Sequence, residues 1–497
     1  MPPHRSSTRL ECAGCGARIP DGDRAFRCPN SNADDTDHVV VRRLDPAGVR
    51  LVAEPHPNPF ARYREPSHAY QLARSRGDSD ADWVARVERI DRAIAAVAGH
   101  GFSVTPFARA DALGRELGCG ASGGVWIKDE TGNVAGSHKA RHLMGLALLL
   151  DVLRATRPAQ AEPAASRKPL AVAAGEGFRL AIASCGNAAL AAAVVARALG
   201  WPLEVFVPPD AEPRVLESLT SLGAEIALCP RKRGTRGDPC MVRFREAVAS
   251  GAIPFCCQGS ENGLTIEGGA TLGYEIVEAL AARGEKLDRV FVQVGGGALA
   301  SAVAMAFDDA RALGAIAEAP RLMTVQTVGA RPLQRAYDRV RARALRDLGA
   351  KTAGSPPGPA SAESQDALED DRVAADLLRT PGAEPAVTAA LAHAARHRSE
   401  YMWPWETVPA SVARGILDDE TYDWLAVIRG MIRTGGWPIV VDEPLLIEAR
   451  TIARRTRGIP VSATGAAGLA GLLALRRIGI VTTEERSAVL FTGIDHD

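Results

Sequence analysis

The sequence predicts an α/β fold with two lobes, each built on a sheet rich in parallel strands. Short β-branched runs alternate with alanine- and leucine-rich segments along most of the 497 residues, and this alternation is typical of right-handed βαβ units. The length is sufficient for more than one hydrophobic core. Because a cluster of cysteines lies near the start, we separate a cysteine-rich segment over 1–45 from a two-lobed part over 46–497.

Charge and composition exclude several classes of partner. The formal net charge is zero and the pI is about 7.1, so nothing points to nucleic acid or to an anionic membrane. The longest apolar runs are too short to span a bilayer, and the first residues lack the apolar core of a signal peptide. We therefore expect a cytoplasmic protein with a small-molecule substrate, whose nine cysteines stay reduced or bind metal.

The cysteine-rich segment contains four residues of the types that ligate zinc. Cys12 and Cys15 form a Cys-x-x-Cys pair, and Cys28 and His38 follow. Three thiolates and an imidazole suit tetrahedral Zn²⁺, although a second Cys-x-x-Cys pair is missing. The alternative is a flexible arm with His38 on the surface. The metal would be structural, because a closed four-ligand site leaves no position open for chemistry.

The rest of the chain predicts strands and helices in alternation. Residues 203–207 and 225–228 predict strands on either side of a helix over 213–222. Two tracts, 155–168 and 351–371, are rich in proline, small and charged residues and predict solvated loops or linkers. The second tract is a linker-like insertion into the main part of the fold.

Lys139 lies at a predicted junction between a strand and a helix. The strand is the run Gly-Val-Trp-Ile-Lys-Asp before it, and the helix covers 143–153. A lysine desolvated at such a corner loses part of its preference for the ammonium form and can condense with an aldehyde. Taken alone, a lysine at a helix start is more often structural or simply exposed.

Two further segments change that balance. Ser184-Cys-Gly-Asn187 precedes an alanine-rich helix, and Gly295-Gly-Gly-Ala298 follows a β-branched strand and precedes a helix over 299–306. Both lie where strands end, which is where open α/β sheets bind ligands. Three consecutive glycines by themselves predict no more than a tight turn.

The three segments, in this order, resemble the fold-type II pyridoxal 5'-phosphate (PLP) enzymes, the group of threonine dehydratase, threonine synthase, cysteine synthase and the tryptophan synthase beta chain. The likeness runs from about Thr105 to Gly493 and includes Thr105-Pro-Phe107 and the segment 267–276. It implies two α/β lobes with PLP in the cleft between them, a smaller lobe over roughly 135–250, and a homodimer.

The resemblance implies a role for each motif. Lys139 would supply the Schiff-base amine and then act as the general base for the α-proton. Residues with little side chain let backbone N–H groups approach phosphate oxygens at a helix N-terminus, and the helix start after Ser184 suits a substrate carboxylate. The implied phosphate loop consists of Gly295, Gly296, Gly297 and Ala298. The implied substrate loop consists of Ser184, Cys185, Gly186 and Ala188, with Asn187 at the phenolic oxygen of the cofactor.

Two positions in these motifs keep a second interpretation. Cys185 replaces the common serine or threonine, and we favour a small buried hydrophobe there over a nucleophile. Thr492 follows a predicted strand, where threonine synthases place the hydroxyl that meets the pyridine nitrogen, but it is equally read as a plain strand-end residue. A neutral hydroxyl there would favour elimination and replacement over transamination. Ser462 and Thr464 are the weaker candidates for the same role.

The cues within the family conflict. The loop at Gly295 resembles the dehydratases, whereas the cysteine-rich segment and Thr492 resemble the threonine synthases. His138 resembles the tryptophan synthase beta chain, whose glutamate-bearing loop is absent; its side chain is either a proton shuttle or phosphate contact, or packs beside the lysine. The segment 403–420 matches no subfamily pattern, and we expect substrate specificity there.

The sequence therefore predicts a PLP-dependent carbon-oxygen lyase that eliminates a β or γ substituent from a small amino acid. The first alternative is a β-replacement synthase. The second is a silent PLP-fold binding module, which the intact Lys139, Asn187 and glycine loop disfavour. Zinc is the only other cofactor expected, and neither nucleic acid nor membrane is expected as a partner.

Overall fold

The computed structural model describes residues 5–21, 26–31, 34–155, 178–231, 237–349 and 364–495. The predicted loop over 155–168 lies outside these residues except for Ala155, and so do residues 351–363 of the second predicted tract.

Thirteen strands are present in the described residues. They are β1 Thr8–Cys12, β2 Arg18–Ile19, β3 Val40–Leu44, β4 Phe107–Arg109, β5 Gly124–Asp129, β6 Leu180–Ala183, β7 Leu203–Val207, β8 Glu225–Leu228, β9 Ile253–Pro254, β10 Arg289–Gln293, β11 Arg321–Thr327, β12 Pro438–Val441 and β13 Arg486–Phe491.

Seventeen α-helices connect and cover them in the same residues. They are α1 Pro59–Arg62, α2 His68–Ser75, α3 Asp80–Ala98, α4 Asp111–Glu116, α5 Lys139–Arg154, α6 Asn187–Leu199, α7 Pro213–Ser221, α8 Pro239–Ala249, α9 Thr265–Ala281, α10 Ala298–Ala312, α11 Pro332–Asp347, α12 Gln365–Leu378, α13 Glu384–Arg396, α14 Arg398–Tyr401, α15 Trp424–Thr434, α16 Glu443–Arg457 and α17 Ala463–Arg477.

The strands of the described residues form three sheets. The N-terminal sheet is antiparallel with the order β2-β1-β3, and a four-stranded parallel sheet has the order β8-β7-β6-β9. A six-stranded sheet has the order β12-β11-β10-β13-β5-β4 and is parallel except for β4. The predicted α/β architecture is thus confirmed, with the addition that the larger sheet is mixed.

Two hydrophobic cores follow from the two larger sheets. Strands buried on both faces, such as β10 and β13, are nearly continuous apolar runs, as parallel strands covered by helices require. One core surrounds the six-stranded sheet. The other combines the four-stranded sheet with α3, α5, α6 and the N-terminal sheet, so the cysteine-rich segment shares a core with the smaller sheet.

Parallel pairing places the carboxyl ends of three strands side by side. Phe291 in β10 pairs with Val489 in β13, and Phe491 pairs with Asp129 in β5. The segments that follow β5, β10 and β13 therefore start at one edge of the sheet. This edge carries the predicted Lys139, glycine-loop and Thr492 segments.

The second predicted linker differs from expectation at its C-terminal end. Residues 365–371 belong to α12, which begins at the N-cap Ser364 and buries Leu368 and Asp371. Asp371 forms an ion pair with Arg341 of α11. An amphipathic helix docked on α11 accounts for acidic residues that composition alone assigns to solvent.

In the parts of the chain that the structure describes, no helix combines the length and the hydropathy that crossing a bilayer demands.

Candidate active site

Lys139 is the first residue of α5 and follows a tight turn at the end of β5. Asn133 caps the turn with its Oδ1 2.8 Å from the Val134 nitrogen, and Ala135 adopts a left-handed conformation with φ of 54°. The helix begins four residues earlier than its apolar pattern predicts. Lys139 itself is half-buried, between the buried Ser137 and His138 on one side and Ala140 on the other.

A buried network of four charged side chains supports this corner. Lys128, Glu130, Arg141 and Glu275 have side-chain exposures of 0–1%. Arg141 donates from Nε to Glu130 (2.8 Å) and from Nη1 to Glu275 (2.6 Å), and Lys128 forms an ion pair with Glu275. Burial alone would raise the pKa of Glu130, but the charges of Arg141 and Lys128 outweigh it and lower the pKa to about 2.

This network holds the chain both before and after Lys139. Glu130 also accepts a hydrogen bond from Asn133 Nδ2 (2.7 Å), which caps the turn before Lys139, while Arg141 lies two residues after it. Sequence reasoning missed the network. Its signal was Lys128, a charge inside the otherwise apolar strand β5, because a charge there must be paired if the strand is buried.

The turn before Lys139 meets the loop 184–188, which we call the asparagine loop, and the segment that follows β13. Ser137 forms a β-bridge with Gly493, and a Cβ placed on Gly493 would lie 2.8 Å from Asn187 Nδ2. The His138 nitrogen donates to the Thr492 carbonyl oxygen (3.2 Å). The segments of Lys139, Asn187 and Thr492 therefore meet within contact distance at Gly493.

Thr492 has a defined hydrogen-bond partner. Gln293, at the end of β10, donates from Nε2 to Thr492 Oγ1 (2.7 Å), while its Oε1 is buried and has no hydrogen-bond partner among the residues that the structure describes. Ser462 and Thr464 are engaged elsewhere, because Ser462 caps α17 and Thr464 Oγ1 accepts a hydrogen bond from the Gly415 nitrogen (3.0 Å). The Gln293 amide also donates to the Thr464 carbonyl oxygen (3.1 Å), but among the three candidate hydroxyl groups it is that of Thr492 to which this amide donates in the described residues.

The glycine loop lies under residues 416–423, which we call the covering segment. A Cβ on Gly295 would lie 2.2 Å from Asp418 Oδ2, and one on Gly296 would lie 2.9 Å from the ring of Tyr422. Thr421 Oγ1 donates to the Gly295 carbonyl oxygen (3.0 Å). The absence of side chains is thus required by close packing of the covering segment.

The same loop also opens a helix. Gly297 has φ of +97°, which favours glycine, and α10 starts at the next residue, Ala298. The N–H groups of a first helical turn have no partner within the helix and, with the helix dipole, suit an anion. The glycine loop therefore serves packing on its side-chain face, and it ends in a helix start of the kind that suits an anion.

Two acidic residues of the covering segment are close enough to Lys139 for its charge to lower the pKa of each carboxyl group. Asp418 is half-buried and accepts a hydrogen bond from the Gly296 N–H; burial raises its pKa to about 6, against the opposing charge of Lys139. Asp423 is buried and accepts from the Gly259 nitrogen (3.2 Å); burial raises its pKa to about 7. Sequence reasoning assigned the segment 403–420 to specificity without identifying these carboxyl groups.

The asparagine loop follows β6 and opens α6. Ser184 is half-buried and Ala188 lies at the buried start of the helix. Cys185 is exposed, so the prediction of a small buried hydrophobe there is wrong, because the residue lies in the loop before α6 rather than inside the helix. Desolvation by the surrounding protein, together with Asp238, Asp210 and Asp418, raises the pKa of the Cys185 thiol. The thiol is therefore protonated at neutral pH, which disfavours a nucleophilic role.

Two buried histidines flank the lysine. Burial and the charge of Lys139 lower the pKa of His138 well below its ordinary value, and that of His142 to about 3. Both are neutral at physiological pH. His138 Nδ1 lies 3.1 Å from the Thr492 carbonyl oxygen, so it carries the ring proton there and locks the imidazole against the strand end. This contact favours the packing interpretation of His138.

The four predicted metal ligands converge away from this site. The ligand atoms of Cys12, Cys15, Cys28 and His38 all lie within 4.8 Å of one another.

Known proteins resemble the chain in family and in fold. The family described as pyridoxal-phosphate dependent enzyme matches residues 100–375. Among solved structures, the chain is similar to diaminopropionate ammonia lyase from Escherichia coli (16% identity, TM-score 0.52, covering 84% of this chain and 90% of that one). It is also similar to threonine deaminase isoform 2 from Solanum lycopersicum (16% identity, TM-score 0.51, covering 85% of this chain and 86% of that one). A third similar structure is a pyridoxal 5'-phosphate-dependent aspartate racemase (16% identity, TM-score 0.50, covering 83% of this chain and 96% of that one). At such identities the likeness concerns the fold. No curated protein sequence matches the chain.

Proposed function

Because the chain belongs to the family of pyridoxal-phosphate-dependent enzymes, we propose that it is a lyase that eliminates a β or γ substituent from a small amino acid and releases ammonia. PLP, when bound, withdraws electrons from the α-carbon of an amino acid. The names of the lyase and deaminase neighbours support this reaction class.

The residues at the edge of the larger sheet fit this cofactor. Ser137 Oγ, His142 Nε2 and Gln293 Oε1 are buried around the lysine corner and the strand end without partners among the described residues, and a polar group bound there would supply partners. In this proposal Lys139 would hold the aldehyde carbon and Thr492 would meet the ring nitrogen. The helix start formed by Gly295, Gly296, Gly297 and Ala298 would hold the phosphate, and Asn187 would meet the phenolic oxygen.

The observation that carries the lyase proposal is the pair Gln293 and Thr492. Since the Thr492 hydroxyl accepts its hydrogen bond from an amide, its own hydrogen is free to donate, and the pair carries no charge. A neutral partner leaves the ring nitrogen unprotonated, which disfavours transamination. Lys139 then takes the α-proton, and the helix start at Ser184, Cys185, Gly186 and Ala188 orients the substrate carboxylate.

The proposal is tested with serine, threonine, O-acetylserine and O-phosphohomoserine. We expect ammonia and a keto acid from at least one of them, and no amino transfer to added keto acids. Thr492→Ser should retain this reaction, whereas Thr492→Val should slow it by about tenfold or more, as expected for loss of one hydrogen bond to the reacting system. A new amino acid formed without ammonia would instead establish the β-replacement synthase.

A second candidate is racemisation, which the structural likeness to the aspartate racemase favours. It uses the same removal of the α-proton but returns a proton to the opposite face. Chiral analysis of the recovered substrate separates the two, because a racemase forms the D-amino acid without ammonia.

Asp418 leads to a prediction on cofactor affinity. Its carboxylate holds the Gly296 N–H and lies beside the proposed phosphate position, so the ionised form should compete with phosphate. With a pKa of about 6, the carboxyl group is ionised near pH 8 and protonated near pH 5. We therefore expect Asp418→Asn to tighten PLP binding by about tenfold near pH 8, roughly 1.4 kcal/mol, and to change little near pH 5.

The measurement is a titration of apoprotein with PLP at both pH values. Asp419→Asn is the matched control, because Asp419 is the next carboxylate along the chain and none of its atoms is among the three nearest to a Cβ placed on Gly295, Gly296 or Gly297. Equal gains for the two variants, or a gain that does not depend on pH, would contradict competition at Gly296.

A further inference from the structure

The four converging residues of the N-terminal segment have the dimensions of a metal site. Cys12 Sγ lies 3.4 Å from His38 Nδ1, and Cys15 Sγ lies 3.6 Å from Cys28 Sγ. Metal–ligand bonds of about 2.3 Å to sulfur and 2.0 Å to nitrogen give a tetrahedron with edges of about 3.5–3.8 Å. The two short edges of this cluster match those lengths, and the thiols are not joined in disulfides.

The surrounding contacts orient the cluster as they do around bound metal. His38 turns its second nitrogen, Nε2, to Asp34 Oδ1 at 3.0 Å, which leaves Nδ1 facing the sulfurs. Asn30 donates its backbone N–H to Cys28 Sγ (3.4 Å) and its side-chain amide to Cys15 Sγ (3.7 Å). A carboxylate behind the histidine and N–H donors to the sulfurs are the usual outer contacts of a metal site. Packing alone does not explain Cys15, which is exposed.

Residues 35–38, which include the proposed ligand His38, form hydrogen bonds with the end of α13 and the start of α14. Asp37 donates its backbone N–H to the Ala395 carbonyl oxygen (2.8 Å), and Asp35 accepts from the Arg398 nitrogen (2.9 Å). Asp35 also accepts two hydrogen bonds from Ser399, each 2.9 Å long. Asp35 and Asp37 therefore hold this part of the N-terminal segment against the start of α14.

Arg398 carries this connection to the glycine loop. Its guanidinium lies between Asp37 (3.4 Å) and Glu420, with which it forms an ion pair. Glu420 immediately precedes Thr421, which donates to Gly295, and the Asp423 nitrogen donates to the Gly296 carbonyl oxygen (2.9 Å). A continuous series of contacts thus runs from His38 to the proposed phosphate loop.

We infer that Cys12, Cys15, Cys28 and His38 bind one Zn²⁺ ion, and that this ion braces the covering segment on the glycine loop through Arg398. Three sulfurs and one imidazole nitrogen close the coordination sphere, so the ion is structural and takes no part in the reaction. The strands of the N-terminal sheet are only two to five residues long, and a metal that binds the folded segment alone would add to its stability.

Metal analysis of the full-length protein tests the site. After incubation with ZnCl₂ and gel filtration, we expect one zinc per chain, and Co²⁺ loading should give the visible spectrum of a tetrahedral thiolate complex. Cys15→Ser should lose the metal. Cys119→Ser is the control, since this partly buried cysteine lies outside the cluster and should leave the zinc content at one. Wild-type protein without stoichiometric zinc would overturn the site.

The brace is tested by PLP affinity, so that its outcome is independent of which reaction the enzyme catalyses. Arg398→Met should keep the zinc and weaken PLP binding by about three- to tenfold, the range of coupling through packed networks. Arg396→Met is the matched control, because Arg396 is exposed on the preceding helix. Removal of zinc from folded wild-type protein with a chelator should weaken PLP binding to a similar degree. This measurement tests the effect of the ion on PLP affinity even if Cys15→Ser does not fold. Unchanged PLP affinity after zinc removal would overturn the brace.

Discussion

Replacement of Lys139 by alanine is expected to remove the visible absorbance of the bound cofactor and to lower turnover by about 10³-fold or more. The expectation follows from the position of this lysine at the helix start, half-buried and within electrostatic range of Asp418 and Asp423. Loss of the amine removes both the attachment point of the aldehyde and the proposed base for the α-proton, and groups that act as a unit show losses of this size.

Two control variants distinguish the loss of the reactive amine from the loss of its positive charge. Lys139→Arg keeps a cation beside Asp418 and Asp423 but cannot condense with an aldehyde, so it should also lose the absorbance. Lys286→Ala removes an exposed lysine outside the site and should behave like the wild type. Absorbance spectra after PLP addition and removal of free cofactor give the answer. An unchanged spectrum in Lys139→Ala would place the attachment point on another residue.

Replacement of Arg141 by methionine is expected to lower the free energy of unfolding by about 3–5 kcal/mol, because it leaves Glu130 and Glu275 buried with Lys128 as their only remaining cation in the network. Thermal or denaturant unfolding measures the loss. Arg372→Met removes one partner of an exposed ion pair on α12 and should change stability by less than about 0.5 kcal/mol.

The pH dependence and a double variant sharpen this second test. The pKa of Glu130 falls from its ordinary 4.5 to about 2, so its stabilisation is present above about pH 4.5 and is lost as the pH falls towards 2. Arg141→Met should lose that part of the acid transition. Glu130→Gln combined with Arg141→Met removes opposite charges together and should recover part of the stability. A double variant less stable than Arg141→Met would contradict charge pairing as the cause.

The buried network and the covering segment hold two different parts of the same candidate site. The network holds the turn at Asn133 and the first turn of α5, which sets the direction of Lys139. The covering segment holds the glycine loop through Thr421 and Asp423. Pre-organisation of this kind places the amine and the helix start before a ligand arrives.

The sequence by itself determined the order and type of the elements and the family. Strands β7 and β8 have the predicted bounds, and the three motifs lie at strand ends, because hydrophobic periodicity and glycine conformation are local properties of the chain. It also identified the four residues whose ligand atoms converge near the N-terminus. The assigned roles of Lys139, Asn187 and Thr492 stay predictions that the experiments above address.

Only the tertiary structure decided which distant residues complete the site. Asp418, Glu275 and Gln293 lie far along the chain from Lys139, and their spacing in sequence carries no sign of their contacts. The glycines of the loop were expected to make room for phosphate, whereas their side-chain face is filled by the covering segment. The pairing of buried charges and the shift of a carboxyl pKa depend on burial and on neighbours brought in by the fold, and these quantities exist only once the chain has packed.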